Sequence, residues 1–569
     1  MSVEQFITEH LDPWTGAVTT KSTSGRSRQD EIELTGIKKL RELITDLAVR
    51  GKLLQQAPTD ESASNLTIKI AAERERLVKR GEIKRLKRLP QVDATDQPYC
   101  LPPNWTWIRL GEATNYGIAE KAEPNDVSGE TWVLELQDIE KESSRLVKKI
   151  RQYQRPFKSS KNHFQKGDVL YGKLRPYLDK VVVADECGIC TTEIVPLRGF
   201  YGLAPNYLRL ALKSPVFKNY ANSSTHGMNL PRLGTDKARL ALLPLPPENE
   251  QHRIVQKVDE LIALCDRLEQ QTRDQHAAHE TLVDALLDTL TQSKDADELA
   301  DNWARLAAHF DTLFTTERSI ERLKQIILTL SVTGRLVQQD CNDESASILL
   351  EKISHKKAMH QARSLEKYPE PPELFEIPRG WVWAALRNVG LTATGKTPPT
   401  KEKKFFGGRI PFIGPGQIAG DGLIVAPDKY LSEDGIKESE EAAPDDLLVV
   451  CIGGSIGKTA KVKQRCGFNQ QINKLRPIIS NADYLLAVLN ADFFQASIRQ
   501  RATGSATPII NRSKWENIWI PLPPLNEQTR IVSKLHELFT LSDELKAQLN
   551  QAGETRRQMA SAVVEQAIH

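Results

Sequence analysis

The most informative absences in this 569-residue chain concern membrane spans, disulfides and excess charge. The longest apolar run, Leu447 to Ile452, is far shorter than the roughly 20 residues that a membrane helix needs, and the N-terminus lacks the basic and apolar segments of a secretory signal. Seven scattered cysteines favour reduced thiols over a disulfide framework. We therefore expect a cytoplasmic protein with no membrane insertion.

The net charge is also small. Lys and Arg number 77 against 74 Asp and Glu, a formal charge of +3. This excludes a strongly basic, histone-like protein but not a DNA-binding protein, because the position of the charges matters more than their sum. The hydrophobic fraction of 40% and charged fraction of 27% are ordinary for globular chains, and the length predicts about four structural units.

Complete catalytic motifs are missing as well. Gly453–Thr459 resembles a phosphate-binding loop, but three residues separate its glycines where that motif needs four. Phe412–Gly416 imitates the adenosylmethionine loop of methyltransferases, but the Asn/Asp-Pro-Pro-aromatic tetrad is absent from the sequence. Cys187–Cys190 is a single C-x-x-C pair, whereas structural zinc needs four ligands. We interpret the three segments as a glycine-rich turn whose lysine reaches a DNA phosphate, a buried strand, and a turn with a buried thiol.

What the chain does contain is an internal duplication, the first feature to seek in a long sequence. Three marker segments recur in the same order: Ile37–Gln56 as Ile320–Gln339, Trp105–Trp107 as Trp381–Trp383, and Pro244–Val255 as Pro521–Val532. Each copy reads helix, variable globular domain, helix. The predicted divisions are an N-terminal helical region at 1–100, a first globular domain at 101–247, a helical spacer at 248–376, a second globular domain at 377–524 and a C-terminal helix at 525–569.

The duplicated helices carry a heptad pattern. Apolar side chains recur at Ile254, Val258, Leu261, Cys265 and Leu268, and at Ile531, Leu535, Leu538 and Leu545, with Ser542 interrupting. This spacing places an apolar seam along one side of a long helix, which favours pairing with another helix; the alternative is an ordinary amphipathic helix on a domain surface. Leu282, Leu286 and Leu290 extend the first helix, Gly51 and Gly334 are expected to end the preceding ones, and Asn249 or Asn526 is expected to cap the long helices.

The globular segments read as mixed α/β domains with curved sheets. Short apolar runs at 167–171, 180–183, 446–452 and 459–462 are bounded by Gly, Asn, Asp and Pro, which is typical of strands joined by turns. Between the markers the two domains differ widely in sequence. Such divergence indicates one scaffold that holds two domains with different recognition properties.

Basic residues interleaved with aromatic residues mark candidate nucleic-acid contacts, because such a surface meets phosphates and bases together. In the first domain, Lys173-Leu174-Arg175-Pro176-Tyr177 is the sharpest segment, since arginine can fork onto a guanine edge or a phosphate; the alternative is a turn with a salt-bridged arginine. The predicted DNA-binding residues are Arg155, Lys173, Arg175, Tyr177, His226 and Asn229 in the first domain, and Gln417, Lys458, Gln470, Lys474 and Arg501 in the second. The loop Ser224–Asn229 matches Arg501–Ala506.

A second basic segment, Lys69–Arg88, precedes the first domain. Glu73, Glu75 and Glu82 are interleaved with its lysines and arginines, and we expect an exposed helix. Two interpretations remain open for it: a solvated face, or a surface that meets a partner or the DNA backbone.

Taken together, two variable domains that open near W-x-W and close with P-L-P-P-x-x-E-Q-x-R-I-V before a heptad helix resemble the specificity subunits of type I restriction–modification enzymes. The resemblance covers nearly the whole chain, and Met1–Thr15 is similar to the type IB group. It implies two target-recognition domains, each reading half of an asymmetric bipartite site on double-stranded DNA, and long helices that form an antiparallel coiled coil with pseudo-two-fold symmetry.

The resemblance also implies partners: two methyltransferase subunits and two restriction subunits docked on the helices. S-adenosylmethionine, ATP and Mg²⁺ are expected on those partners and not on this chain, which would have no catalytic residue. The alternatives are a self-sufficient DNA adenine methyltransferase, whose motifs are missing, and a coiled-coil scaffold without DNA, against which the basic-aromatic segments argue.

Overall fold

The computed structural model describes residues 3–21, 31–124, 127–293, 296–360, 375–420, 422–504 and 507–568, and the chain divides into two compact units. Unit 1 comprises Met1–Gln275 and Ala552–His569, and unit 2 comprises His276–Gln551. Both boundaries fall within long helices, so each unit includes a helical segment from the other sequence copy. Among the described residues, no helix is both long enough and apolar enough to cross a membrane.

Unit 1 is a mixed α/β structure. Its helices are α1 (Val3–Glu9), α2 (Leu11–Gly16), α3 (Thr35–Val49), α4 (Ala63–Lys79), α5 (Leu110–Ala113), α6 (Pro205–Lys213), α7 (Pro215–Ser223), α8 (Thr235–Leu240) and the start of α9 (Glu248–Gln292). Its strands are β1 (Thr19–Lys21), β2 (Glu31–Glu33), β3 (Thr106–Arg109), β4 (Lys121–Ala122), β5 (Trp132–Leu134), β6 (Lys161–Phe164), β7 (Val169–Gly172), β8 (Val181–Val183), β9 (Gly188–Cys190), β10 (Ile194–Leu197), β11 (Thr225–His226), β12 (Arg232–Leu233) and β13 (Leu242–Leu245).

The strands of unit 1 form small sheets. The larger ones have the orders β4-β6-β9-β5 and β10-β7-β8, and β5 and β9 pair in parallel while the other pairs are antiparallel. Strand β3 at the start of the globular segment pairs with β13 at its end, which closes the segment before α9 begins. Cys190 is buried in β9 and Cys187 is exposed, and all seven cysteines are free thiols.

Unit 2 repeats this plan. Its helices are the end of α9, α10 (Ala296–Ala308), α11 (Phe310–Leu313), α12 (Glu317–Val332), α13 (Ala346–His360), α14 (Leu386–Val389), α15 (Glu433–Lys437), α16 (Ala482–Asn490), α17 (Asp492–Arg501), α18 (Arg512–Glu516) and the start of α19 (Leu525–Ile568). Its strands are β14 (Val382–Ala385), β15 (Gly390–Thr394), β16 (Phe406–Ile413), β17 (Lys429–Leu431), β18 (Glu440–Ala442), β19 (Leu447–Val450), β20 (Thr459–Lys461), β21 (Cys466–Phe468), β22 (Ile472–Pro477) and β23 (Trp519–Leu522).

The sheets of unit 2 have the orders β17-β16-β21-β18 and β15-β22-β19-β20, and β14 pairs with β23 as β3 pairs with β13. The parallel pair β16–β21 stands where β5–β9 stands in unit 1. The predicted mixed α/β class is therefore confirmed, as are the strands at β7, β8, β19 and β20. The sequence 412–416 does enter a buried strand, β16.

The heptad seams are buried within the units. In unit 1 the seam of α9 shares a core with α3 and with the end of α19, where Ala560 is buried and Val563, Val564 and Ala567 pack against it. Arg41 of α3 reaches Asp266 of α9 at 2.6 Å. In unit 2 the seam of α19 shares a core with α12 and with Val283, Leu287 and Leu290 of α9.

Two local predictions need correction. The helix predicted over Lys69–Arg88 ends at Lys79, because Gly81 adopts a φ of 72° and its N–H closes the last turn onto Val78. The long helices begin at Glu248 and Leu525, so Asn249 and Asn526 lie within the first turn and do not cap it. The predicted continuation of the first long helix past Leu268 is confirmed, since α9 extends to Gln292; on this segment Val283, Leu287 and Leu290 are buried and Leu282 is 52% exposed.

Candidate nucleic-acid interface

In unit 1, the loop Lys173–Lys180 between β7 and β8 lies beside the hairpin formed by β11 and β12. Main-chain hydrogen bonds join them, from Arg175 N to Pro231 O at 2.7 Å and from Leu233 N to Lys173 O at 3.0 Å. The fold thus brings the predicted residues 173–177 and 226–229, which are distant in sequence, onto one surface. We call this pair of segments reading surface 1.

Unit 2 has the same construction, which we call reading surface 2. The loop Cys451–Lys458 between β19 and β20 lies beside the segment 503–510, of which Ser505 and Ala506 lie outside the described residues. The equivalent main-chain bonds are Gly453 N to Pro508 O at 2.9 Å and Ile510 N to Cys451 O at 2.9 Å. Both surfaces therefore share one backbone design.

The two loops also share their backbone conformation. Arg175 and Asp179 have φ values of 52° and 50°, in the left-handed region that non-glycine residues adopt only at a cost. At the equivalent positions, Gly453 and Gly457 have φ values of 100° and 91°. The two glycines that imitate a phosphate-binding loop are thus explained by the shape of the turn.

Reading surface 1 presents polar and apolar side chains to solvent. Arg175, His226 and Asn229 are exposed, Tyr177 is 53% exposed, and Met228 at the hairpin tip is fully exposed. Lys173 is half-buried and donates through its main chain to Glu193. An exposed arginine, histidine, asparagine and tyrosine side by side can donate to and accept from base edges and phosphates.

Arg155 lies in a different environment. Its guanidinium forms a bidentate ion pair with the fully buried carboxylate of Asp138, with Nη2 to Oδ1 at 2.9 Å. This pair holds the 3₁₀ turn 136–138, whose Leu136 carbonyl accepts from Lys180 at 2.7 Å. Arg155 thereby supports the loop of reading surface 1 from beneath. The side-chain hydrogen bond to Asp138 raises its pKa further.

Gln417 occupies the equivalent turn in unit 2. Its Oε1 accepts from Gly414 N at 3.0 Å and its Nε2 donates to Asp428 at 2.8 Å. Lys458, exposed at the end of the unit 2 loop, donates to the carbonyl of Ile418 beside that turn at 3.3 Å. Gln417 and Lys458 are thus brought together at reading surface 2.

The other residues predicted to bind DNA in the second domain differ from one another in burial and in hydrogen-bond partners. Gln470 is exposed and accepts from Thr397 at 2.7 Å. Lys474 is buried and donates at 2.6 Å to both Glu440 and the carbonyl of Glu441. Arg501 donates to the carbonyl of Asn517 at 3.0 Å. Gln470 lies near the loop through the Cys451 N to Gln471 O bond, whereas Lys474 is enclosed within the sheet.

In the first domain, basic and aromatic residues alternate throughout the stretch 148–177, but several of them are paired or buried. Lys149 pairs with Asp185, Arg151 with Glu186 and Lys161 with Glu135. Tyr171 and Phe164 are buried in the sheets. The exposed members lie partly in reading surface 1, as Arg175 and Tyr177, and partly outside it, as Lys148, Tyr153, Lys158 and Lys166.

Each globular domain is fixed to its long helix by a joint that the sequence reasoning missed. In unit 1, Trp105 Nε1 donates to Glu250 at 3.0 Å, and Gln56 donates to the same carboxylate at 2.8 Å. In unit 2, Trp381 donates to Glu527 at 2.9 Å and Gln339 donates at 2.7 Å. Burial raises the pKa of both glutamates above the ordinary value.

The next residues of the E-Q-x-R motif complete the joint. Gln251 accepts from Ala204 N at 2.8 Å, and Gln528 accepts from Asn481 N at 2.8 Å. Arg253 pairs with Asp60, and Arg530 pairs with Asp343 at 2.7 Å. The sequence does contain a signal for the joint, namely that every side chain of the joint in the first copy recurs in the second. The joints set the direction in which each reading surface faces relative to its helix.

No group of three or more His, Cys, Asp or Glu side chains in the described part of the chain is arranged to hold a metal ion.

Comparisons with known proteins agree with this construction. A family model described as the type I restriction modification DNA specificity domain matches residues 378–553. The chain is 35% identical to the EcoAI specificity subunit and 34% identical to the EcoEI specificity subunit, both type I restriction enzymes of Escherichia coli, and each alignment covers 100% of both proteins. It also superposes with a TM-score of 0.51 and 22% identity on a solved chain described under "complex assembly and conformational transition of the type I R-M system", covering 83% of this chain and 99% of that one.

Proposed function

Because the chain belongs to the family of type I restriction enzyme specificity subunits, we propose that its two units read the two halves of one bipartite DNA site. The chain is the non-catalytic subunit that recognises DNA, and a self-sufficient methyltransferase is not favoured. The proposed division of labour gives target recognition to the domains at 101–247 and 377–524. The helical regions at 1–100, 248–376 and 525–569 act as spacer and docking surface.

One observation carries this proposal: the same loop-and-hairpin backbone occurs in both units with different side chains. Arg175 and Tyr177 in unit 1 correspond to glycine and serine positions of the loop 451–458 in unit 2. A shared backbone with different exposed groups reads different bases, because base discrimination depends on side-chain donors and acceptors while phosphate contacts only fix the register.

The residues proposed to touch DNA in unit 1 are Lys173, Arg175, Tyr177, His226 and Asn229, and in unit 2 Lys458 and Gln470. Arg155, Gln417, Lys474 and Arg501 stay predictions as DNA contacts. The hydrogen bonds that each of these four makes within its unit favour a role in holding the loops.

The proposal extends to partners. Two methyltransferase subunits and two restriction subunits dock on the helices and bind S-adenosylmethionine, ATP and Mg²⁺, and the assembled complex works on double-stranded DNA in the cytoplasm. The family membership supports assembly into a type I complex, and the enclosed joints support a rigid frame for it.

The test changes one reading surface at a time. Arg175→Ala should relax the base preference at one position of one half-site and cost about 1–3 kcal/mol of binding if the guanidinium forks onto a guanine. Lys458→Ala is the variant in unit 2; because this lysine is proposed to contact a phosphate, it should weaken binding evenly across sequences and reduce the salt slope by about one without changing the bases selected, which a salt titration of the complex measures. The measurement is selection from a random DNA pool by the complex with its methyltransferase subunits, followed by sequencing of methylated sites in cells.

Two outcomes contradict the proposal. Either variant changing both halves of the site would show that the units do not read separately. Neither variant changing binding or salt dependence would place both surfaces away from DNA.

A further inference from the structure

Unit 1 holds an exposed basic segment, Lys84–Gln91, which we call the basic strap. It follows α4 as irregular chain, and the side chains of Lys84, Lys87 and Arg88 are exposed. Among the described residues these three cations have no carboxylate partner, whereas the neighbouring Arg85 pairs with Glu75. A cationic segment without secondary structure would ordinarily gain conformational entropy by detaching from the surface of its domain.

Two buried arginines hold the strap in place by donating hydrogen bonds to its main-chain carbonyls. Arg109, whose side chain is 8% exposed, donates to Pro90 O at 2.7 Å and to Gln91 O at 3.0 Å. Arg239, 7% exposed, donates to Lys87 O at 3.0 Å. Gly111 leaves room for Arg239, since a Cβ there would lie 2.7 Å from the Cβ of Arg239.

This clamp is built against an electrostatic cost. Two buried guanidinium groups hydrogen-bond to a segment that carries positive charge of its own, and within the described part of the chain Asp96 is the carboxylate that pairs with Arg109. Like charges within a Debye length of roughly 8 Å repel one another at physiological salt. A polyanion bound to the strap would relieve that repulsion, because phosphate neutralisation favours clustered Lys and Arg.

Unit 2 lacks the clamp at the equivalent positions. Arg109 faces Leu242 in the β3–β13 register, and Ala385 faces Trp519 in the matching β14–β23 register. The residue of α18 equivalent to Arg239 of α8 is Glu516, which accepts from Thr392 at 2.6 Å. The segment that would correspond to the strap lies outside the described residues, and its sequence at 361–374 has more acidic than basic residues.

The strap and reading surface 1 are connected through α8. Helix α8 starts two residues after the hairpin strand β12. Arg239 lies four residues after the first residue of α8, and its guanidinium donates to Lys87 O of the strap. The clamp therefore couples the strap to the element that follows the hairpin.

Resting on the proposed DNA-reading function, we propose that the strap is a second contact to the same duplex. Lys84, Lys87 and Arg88 bind backbone phosphates beside the half-site that reading surface 1 contacts. They contribute affinity without sequence preference, and unit 2 has no equivalent contact at the clamp positions described.

The test compares the assembled complex with its methyltransferase subunits carrying wild-type chain or the triple variant Lys84→Ala, Lys87→Ala, Arg88→Ala. The probe is a duplex carrying the site selected by the wild-type complex, titrated between 50 and 200 mM salt. Because each phosphate contact contributes about 0.9 to the slope of log affinity against log salt, the variant slope should shrink by about two to three, and affinity near 150 mM should fall about 10- to 100-fold. The selected sequence should be unchanged.

A charge-preserving variant, Lys84→Arg, Lys87→Arg, Arg88→Lys, is the matched control and should keep the wild-type slope. All three side chains are exposed, so circular dichroism should show unaltered folding in both variants. Methylphosphonate linkages beside the half-site of unit 1 should reduce wild-type binding and leave the triple Ala variant unaffected.

An unchanged salt slope in the triple Ala variant would overturn the proposal. Loss of assembly with the methyltransferase subunits in the absence of DNA would also overturn it, because the strap would then be a protein-docking surface. Failure of the underlying function looks different: the wild-type complex would then select no sequence, whatever its salt slope.

Discussion

The loops Lys173–Lys180 and Cys451–Lys458 are the most instructive comparison in this molecule. Both leave a buried strand, make the same two main-chain bonds to the neighbouring segment, and turn through two left-handed residues. Unit 1 reaches that shape with Arg175 and Asp179, and unit 2 reaches it with Gly453 and Gly457.

The difference shows how a duplicated scaffold diverges. Unit 1 retains side chains at strained positions, which proteins keep where the surrounding structure fixes them and function requires them. Asp179 is held by Lys213 at 3.0 Å, while Arg175 is exposed and has no such partner among the described residues. The main-chain bonds of the turn hold both residues in this conformation, and Asp179 has an ion pair in addition, whereas the guanidinium of Arg175 points to solvent.

The largest expected effect tests whether the two units are interchangeable halves. The core of unit 1 includes Ala560, Val563, Val564 and Ala567 of α19. Aligning the P-L-P-P motifs matches these residues with Val283, Leu286, Leu287 and Leu290 of α9, which pack in unit 2. A fragment of residues 1–298 lacks the first set and carries the second, so two copies can complete each other. We expect a two-fold homodimer that binds an inverted repeat with half-site centres roughly 34 Å apart.

Light scattering on the 1–298 fragment, and site selection with the methyltransferase subunits, measure this outcome. A fragment of residues 1–275 lacks the complementary segment and is the control; it should not form the same dimer. A strictly monomeric 1–298 fragment, or one that selects a non-palindromic site, would break the equivalence of the two copies.

The next effect concerns the joints. Trp105→Ala and Trp381→Ala each remove a buried indole and one of the two donors to the Glu250 or Glu527 carboxylate, so that only Gln56 or Gln339 still donates to it. Loss of a buried tryptophan costs about 3–5 kcal/mol, and because the two joints match in geometry the costs should agree within about 1 kcal/mol. Chemical denaturation of the full chain, followed by circular dichroism, measures both. A cost well below 2 kcal/mol in either variant would show that this joint does not hold its domain.

The sequence predicted the duplicated helices and marker residues of this protein better than it predicted individual side-chain contacts. The recurrence of Trp105 and Glu250 as Trp381 and Glu527 is visible without a structure, and so is the seam of α9. The ion-pair partner of Arg155 was not predictable from the sequence, because Asp138 is seventeen residues away and no local sequence pattern indicates that the two side chains meet. The end of α4 was missed because interleaved Lys and Glu favour continued helix, and the glycine that stops it is a single residue.

A smaller effect is the pH dependence of the joints. Burial raises the pKa of Glu250 and Glu527 in the folded protein, so each takes up a proton at a higher pH than the unfolded chain does. Stability from such a group is fully present below the unfolded pKa of about 4.3 and is lost as the pH rises through the folded value. The melting temperature of the wild type, relative to Glu250→Gln or Glu527→Gln, should therefore rise as the pH falls from 8 to 5. A difference that stays constant or moves oppositely in one unit would separate the two joints.

The smallest effect isolates the backbone of the two loops. At Gly453 a Cβ would meet nothing within 4 Å, so Gly453→Ala tests the φ of 100° alone and should cost about 1 kcal/mol of stability in unit 2. Gly457→Ala should cost more, because its Cβ would lie 2.3 Å from Oε1 of Gln495. Gly454→Ala is the control in the same loop: its Cβ is equally free and its φ is not positive, so stability should change by less than about 0.5 kcal/mol.

In unit 1, Arg175→Gly relieves the left-handed backbone strain of the folded state and increases the conformational entropy of the unfolded chain. The two effects on stability are similar in size and opposite in sign, so they should nearly cancel. Arg175→Gly should therefore weaken DNA binding at the unit 1 half-site with little change in the unfolding midpoint. A clear loss of stability would instead show that the Arg175 side chain stabilises unit 1.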